Sequence, residues 1–157
     1  MNVDFINPFI SALVNVLNVM GNTEIKQETP FLKVDKGACG EISGLIDMVS
    51  EQAKGSLSIT FDESLALRIM KRMLGEKIEK IDDAVSDMVG EITNMVSGGA
   101  KKILATQDYE FDMATPVVFK GKNHLINHKH DGKIIVIPFN SDSGKAYIEV
   151  CFGNVVN

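Results

Sequence analysis

With 157 residues, 45% of them hydrophobic and 24% charged, the chain has the size and balance of one soluble globular domain with a substantial core. A formal net charge of −5, with lysines scattered instead of clustered, argues against general nucleic-acid binding. Two cysteines, Cys39 and Cys151, are too few for a disulfide scaffold and form no CxxC pair, so both are expected as small buried hydrophobes.

A single domain over residues 1–157 is expected, without repeats, low-complexity runs or long linkers. Asn7-Pro8 suits the opening of a first helix, because Asn can cap and proline fits the first turn. Phe9, Leu13, Val16, Leu17 and Met20 supply its apolar face, and Gly21-Asn22 ends it. This stretch has no basic n-region, follows Asp4 and Pro8, and is interrupted by Asn15 and Asn18. It therefore reads as a core-packing helix of a cytoplasmic protein, neither an export signal nor a membrane span.

A short strand is expected after Pro30, from about Phe31 to Val34, and a second from Ala38 to Val49, bent or bulged at Gly40 and Gly44. Gln52-Ala53-Lys54-Gly55 reads as a turn, and Leu57 to Phe61 alternates as the strand that completes a hairpin. Asp62 is placed to cap a second helix, with Leu65, Leu67, Ile69, Met70, Met73 and Leu74 mostly inward and Gly75 as its stop. A charged connection from Glu76 to Lys80 leads to a third helix, from about Asp82 to Leu104. After a polar loop, Pro116 to Phe119 reads as a strand; Lys133 to Phe139 and Lys145 to Phe152 form a last hairpin turning at residues 140–144. The order α-β-β-β-α-α-β-β-β predicts an α+β fold, with an antiparallel-rich sheet and helices packed on one side.

The third helix carries the most informative pattern. Val85, Met88, Val89, Ile92, Met95, Val96, Ile103 and Leu104 recur at the spacing of one buried face. Asp87, Glu91 and Asn94 follow a separate track, four and then three residues apart, which stacks them on the opposite surface. Gly90, Gly98 and Gly99 sit in the same helix, where each glycine costs about 1 kcal/mol against alanine. They suit either close approach of a partner or simple helix packing.

The series Asp87-x-x-x-Glu91-x-x-Asn94, with Pro116 standing 22 positions after the asparagine, resembles the signature of the CheC/CheX/FliY family of bacterial chemotaxis phosphatases. Asn7-Pro8-Phe9 with Ala12, Val16 and Leu17, and Ala66 to Met70 through Met73-Leu74-Gly75, are similar to the CheX branch in the same order. The resemblance implies that the helical Glu and Asn enter the active site of a phosphorylated CheY-type response regulator, and that the regulator supplies Mg²⁺ and a lysine. Asn94 is then expected to hold the attacking water, and Glu91 to pair with the regulator's lysine. Asp87, Gly90 and Gly98 are expected to border the partner. CheC proteins have a second Glu-x-x-Asn on the first helix, but the residues three before Asn15 and Asn18 are Ala12 and Asn15. One site per chain, and a homodimer as in CheX, is what the resemblance implies. A non-catalytic adaptor for a regulator or flagellar-switch component is the rival reading, although it has no need for the Glu91/Asn94 pair.

Other chemistry is weakly supported. His124, His128 and His130 lack the carboxylate or cysteine partners of a tetrahedral metal set, and their segment reads as a polar loop. No metal bound by this chain is expected. Ser141-Asp142-Ser143-Gly144 has no following histidine and reads as a hairpin turn, and no Gly-rich phosphate loop occurs.

Overall fold

The computed structural model describes residues 3–51, 53–75, 78–128 and 132–154. His130, Gln52 and the Glu76-Lys77 start of the charged connection lie outside these. Helix α1 (Val3–Gly21) leads to β1 (Lys26–Gln27), β2 (Phe31–Leu32), β3 (Ile42–Val49) and β4 (Ala53–Phe61). Helices α2 (Glu63–Leu74) and α3 (Asp83–Ala105) follow, then β5 (Asp112–Met113), β6 (Val117–Lys120), β7 (Ile134–Ser141) and β8 (Gly144–Asn154). The expected α+β order is present, with β1 and β5 as additional two-residue strands.

All strand pairs are antiparallel, in the order β1-β7-β8-β4-β3-β5, with β2 also on β7 and β6 also on β3. Alternation sends Leu57, Ile59 and Phe61 of β4, and Ile148 and Val150 of β8, toward the helices. There they meet Phe9, Leu13 and Leu17 of α1, Leu65 and Ile69 of α2, and Val89, Ile92 and Val96 of α3, all buried. The opposite face of the sheet buries Ser43, Ser56, Ser58, Thr60 and Glu149, beneath the segment 121–128.

Several local expectations are corrected. Helix α1 begins at Val3, so Asn7-Pro8 lies inside it instead of opening it. The β3–β4 register runs without interruption from Ile42↔Phe61 to Val49↔Lys54, so no bulge forms at Gly44, and Gly40 precedes the strand. Lys54 and Gly55 belong to β4, not to the turn, because they pair with Val49 and Met48. Asp62 stands at the N-cap of α2 but makes no side-chain cap; its Oδ2 accepts from the Lys145 backbone N–H at 2.8 Å. Glu41 Oε1 accepts from Glu63 N instead, at 3.2 Å. Gly75 closes α2 in the left-handed conformation, φ 72°, as a glycine there can. Leu74 and Ile103, both expected inward, are exposed. Cys39 is likewise exposed, whereas Cys151 is buried with its Sγ on Gly132 O.

Candidate functional site

The head of α3 is fixed by acids. Asp82 is the N-cap in extended conformation, and its side chain accepts from Val85 N at 3.1 Å. Asp83 in the first turn lies 3.6 Å from Lys120 Nζ of β6. Both carboxylates suit the positive end of the helix dipole. On the inner face Val85, Met88, Val89, Ile92, Val96, Ala100 and Leu104 are buried.

Thr93 is buried with them, and its Oγ1 donates to Val89 O at 2.8 Å. It sits over Gly44 of β3, where a Cβ would come 2.0 Å from Thr93 Oγ1. Glycine at 44 therefore lets α3 settle directly on the sheet. From local sequence Gly44 suggests only a bend or bulge, since its partner Thr93 is 49 residues away.

With its inner face held this way, α3 turns Asp87, Glu91 and Asn94 outward, and all three are exposed. Among the described residues the side chains of these three make no intrachain hydrogen bond or ion pair. Glu91 and Asn94 are about 4.5 Å apart along the axis, and Asp87 about 6 Å behind Glu91, at the α-helical rise per residue. Gly98 lies on the same track, and a Cβ there would meet nothing within 4 Å among the described residues. Lys101 and Lys102, both exposed, follow.

Gly90 is different. Its Cβ would lie 3.5 Å from Val118 Cγ2 of β6, so it faces the neighbouring strand, beside the outward track. Gly99 faces Ala12 of α1 at 3.4 Å. Pro116 immediately precedes β6 and so stands at the border of this surface.

The site is thus a projecting ridge bearing a free carboxylate and a free carboxamide. A carboxamide both accepts and donates hydrogen bonds without charge, and a carboxylate recognises a cation. No group of three His, Cys, Asp or Glu side chains is placed to hold a metal ion among the described residues. Side chains of these two kinds, exposed one turn apart, can hydrogen-bond a water and pair with a cation.

The histidines serve the far side of the sheet. His124 Nδ1 donates to Gly121 O at 2.7 Å, which leaves Nε2 of the neutral ring to accept from Ser43 Oγ, also 2.7 Å away. His128 Nε2 donates to Glu149 Oε1 at 3.1 Å, while its Nδ1 meets Ser56 Oγ. Glu149 Oε2 accepts from Lys33 Nζ at 2.7 Å, and both side chains are almost wholly buried. This network was missed in the sequence, where the segment reads as a polar loop. A signal existed in Ser56, Ser58 and Thr60: small hydroxyls, not charges, at the polar positions of β4.

No helix among the described residues is long and apolar enough to cross a membrane. The family model described as chemotaxis phosphatase CheX matches residues 42–140. A CheC-like superfamily protein from Shewanella sp. PV-4 is 61% identical, with 98% of this chain and 100% of that chain covered and a TM-score of 0.92. Chemotaxis protein CheX from Vibrio vulnificus is 56% identical, covering 96% and 99%, with a TM-score of 0.89. CheX in a CheX–CheY–BeF3–Mg²⁺ complex from Borrelia burgdorferi is 25% identical over 96% and 99% of the two chains, with a TM-score of 0.78. None of the curated proteins compared with the chain matches it.

Proposed function

The chain belongs to the CheX family of chemotaxis phosphatases, and on that premise we propose that it hydrolyses the aspartyl phosphate of a CheY-type response regulator. The observation that carries the reading is the ridge itself: Glu91 and Asn94 stand free and exposed, one turn apart, on a helix rigidly seated by its other face. The Borrelia relative in complex with CheY, BeF3 and Mg²⁺ supports a regulator as the partner. BeF3 bound to a carboxylate stands in chemically for a phosphoryl group.

An aspartyl phosphate is already a reactive mixed anhydride. What its hydrolysis lacks is a water held in line with phosphorus. In the proposed mechanism the Asn94 carboxamide oxygen accepts a hydrogen bond from that water, and its N–H₂ donates to a phosphoryl oxygen. Being neutral, it does not repel the incoming negative charge. Water then attacks phosphorus, the P–O bond to the aspartyl carboxylate breaks, and inorganic phosphate leaves.

Glu91 is repulsive to a phosphoryl group unless a cation accompanies it. We assign it the pairing with the regulator's active-site lysine, which docks and aligns α3. Asp87, one turn further back, borders the contact, as does Gly90 beside β6. Mg²⁺ would be held by the regulator, where it neutralises phosphoryl charge. We include in the proposal that residues 1–157 act as one CheX-like domain in the cytoplasm, and that two copies pair through a sheet edge. The edge at β2 leaves Phe31 and Leu32 exposed, with Val34 just beyond it; the mass in solution checks this.

The test is decay of phosphoregulator with substoichiometric protein. The parent should accelerate decay over many turnovers. Asn94→Ala should lose about 10²-fold or more in rate, the scale of removing one oriented polar group at a transition state, while keeping affinity for the BeF3-loaded regulator. Glu91→Ala should weaken that affinity at least tenfold. Binding without turnover by the parent would instead identify an adaptor.

A further inference from the structure

Of the three glycines in α3, one lacks an internal neighbour. Alanine at 90 or 99 would make ordinary contacts, 3.5 Å to Val118 and 3.4 Å to Ala12, so those positions face packed elements. A Cβ at 98 would meet nothing within 4 Å among the described residues. Glycine is among the residues least suited to a helix interior, because it loses the most backbone freedom there. At 98 the fold gains no packing in return, and the φ there is not in the left-handed range that calls for glycine.

Its place on the ridge gives the reason. Gly98 follows Asn94 by four residues and Glu91 by seven, on one track, about 6 Å along the axis from Asn94. Side chains of an α-helix lean toward its N-terminus. Any side chain at 98 would therefore lean back over the turn that carries Asn94. Glycine leaves that turn open down to the backbone.

We propose that Gly98 is a positioning residue: it forms a notch beside Asn94 into which the loop backbone around the partner's phosphorylated aspartate descends, so that the carboxamide reaches the water and phosphoryl group. The notch lies between two charged stretches, acidic at Asp87 and Glu91 and basic at Lys101 and Lys102. A partner seated there is therefore oriented as well as admitted, with its cation toward Glu91. This inference rests on the phosphatase reading above and refines it from which residues react to how closely the partner must approach.

The test uses Gly98→Ala and Gly98→Leu in the full chain, with the parent and Asn94→Ala in the same phosphoregulator decay assay. Both Gly98 variants should melt at a higher temperature than the parent, since either residue favours helix over glycine. Yet kcat/KM should fall about threefold or more for Ala and at least tenfold for Leu, with affinity for the BeF3–Mg²⁺-loaded regulator falling in parallel. Lost activity in a stabilised protein is an effect that a purely structural role for Gly98 would not produce. If the parent turns over and both Gly98 variants match it within twofold, the notch is wrong and the phosphatase reading stands. If the parent leaves decay unchanged, the phosphatase reading fails and the notch falls with it.

Discussion

Glu149 is a fully buried carboxylate with its oxygens divided between two donors, Lys33 on Oε2 and His128 on Oε1. Its directly paired neighbour on β4, Ser58, has a buried Oγ with no hydrogen-bond partner among the described residues. A charge in such a place is tolerated only while its partner remains, because removing one member leaves the other unpaired in a low dielectric. Lys33→Met is therefore expected to cost about 3–5 kcal/mol, a figure taken from broken buried pairs in general. Chemical denaturation would measure it, and a loss under about 1 kcal/mol would mean that His128 alone satisfies the carboxylate. At this scale Asp87, Glu91 and Asn94 were legible, since helical spacing alone assigns them a face. Lys33, His128 and Glu149 were not, because their meeting joins residues up to 116 positions apart.

An element becomes a platform only when something fixes its height and rotation. For α3 the apolar stripe sets the rotation, and Gly44 beneath Thr93 sets the height. Gly44→Ala would drive a methyl into Thr93, and overpacking of this kind costs about 1–3 kcal/mol. The melting temperature should fall, and Thr93→Ala combined with it should restore part of the loss. If the two substitutions prove additive in a double-mutant cycle, the contact does not set the seating. Helix periodicity and the stops at Gly21 and Gly75 were readable from local chemistry. The N-terminus of α2 was misread because Glu41, from another element, supplies the oxygen that Asp62 was expected to give. A cap taken from elsewhere in the chain leaves no trace in the capped segment.

Across the whole molecule the number and type of the longer elements followed from pattern, but their lateral order did not. Alternation in β4 and β8 says that each has one apolar face; it does not say that they lie side by side. Placing β8 between β4 and β7 is a tertiary choice, made where Ile59, Ile148 and Ile137 complete one buried row. That placement has a consequence for how the chain must be made. Residues 144–154 form a central strand, so β4 has no partner on that side until they emerge from the ribosome. At roughly 5–20 residues per second, the interval between finishing α3 and finishing β8 is about 3–10 s. For those seconds the nascent protein carries a ready signature helix above a sheet with an open middle, its longest strand edge available to any neighbour. Its vulnerability in the cell is therefore one of timing: β8, synthesised after every other described strand, is the one that closes the sheet.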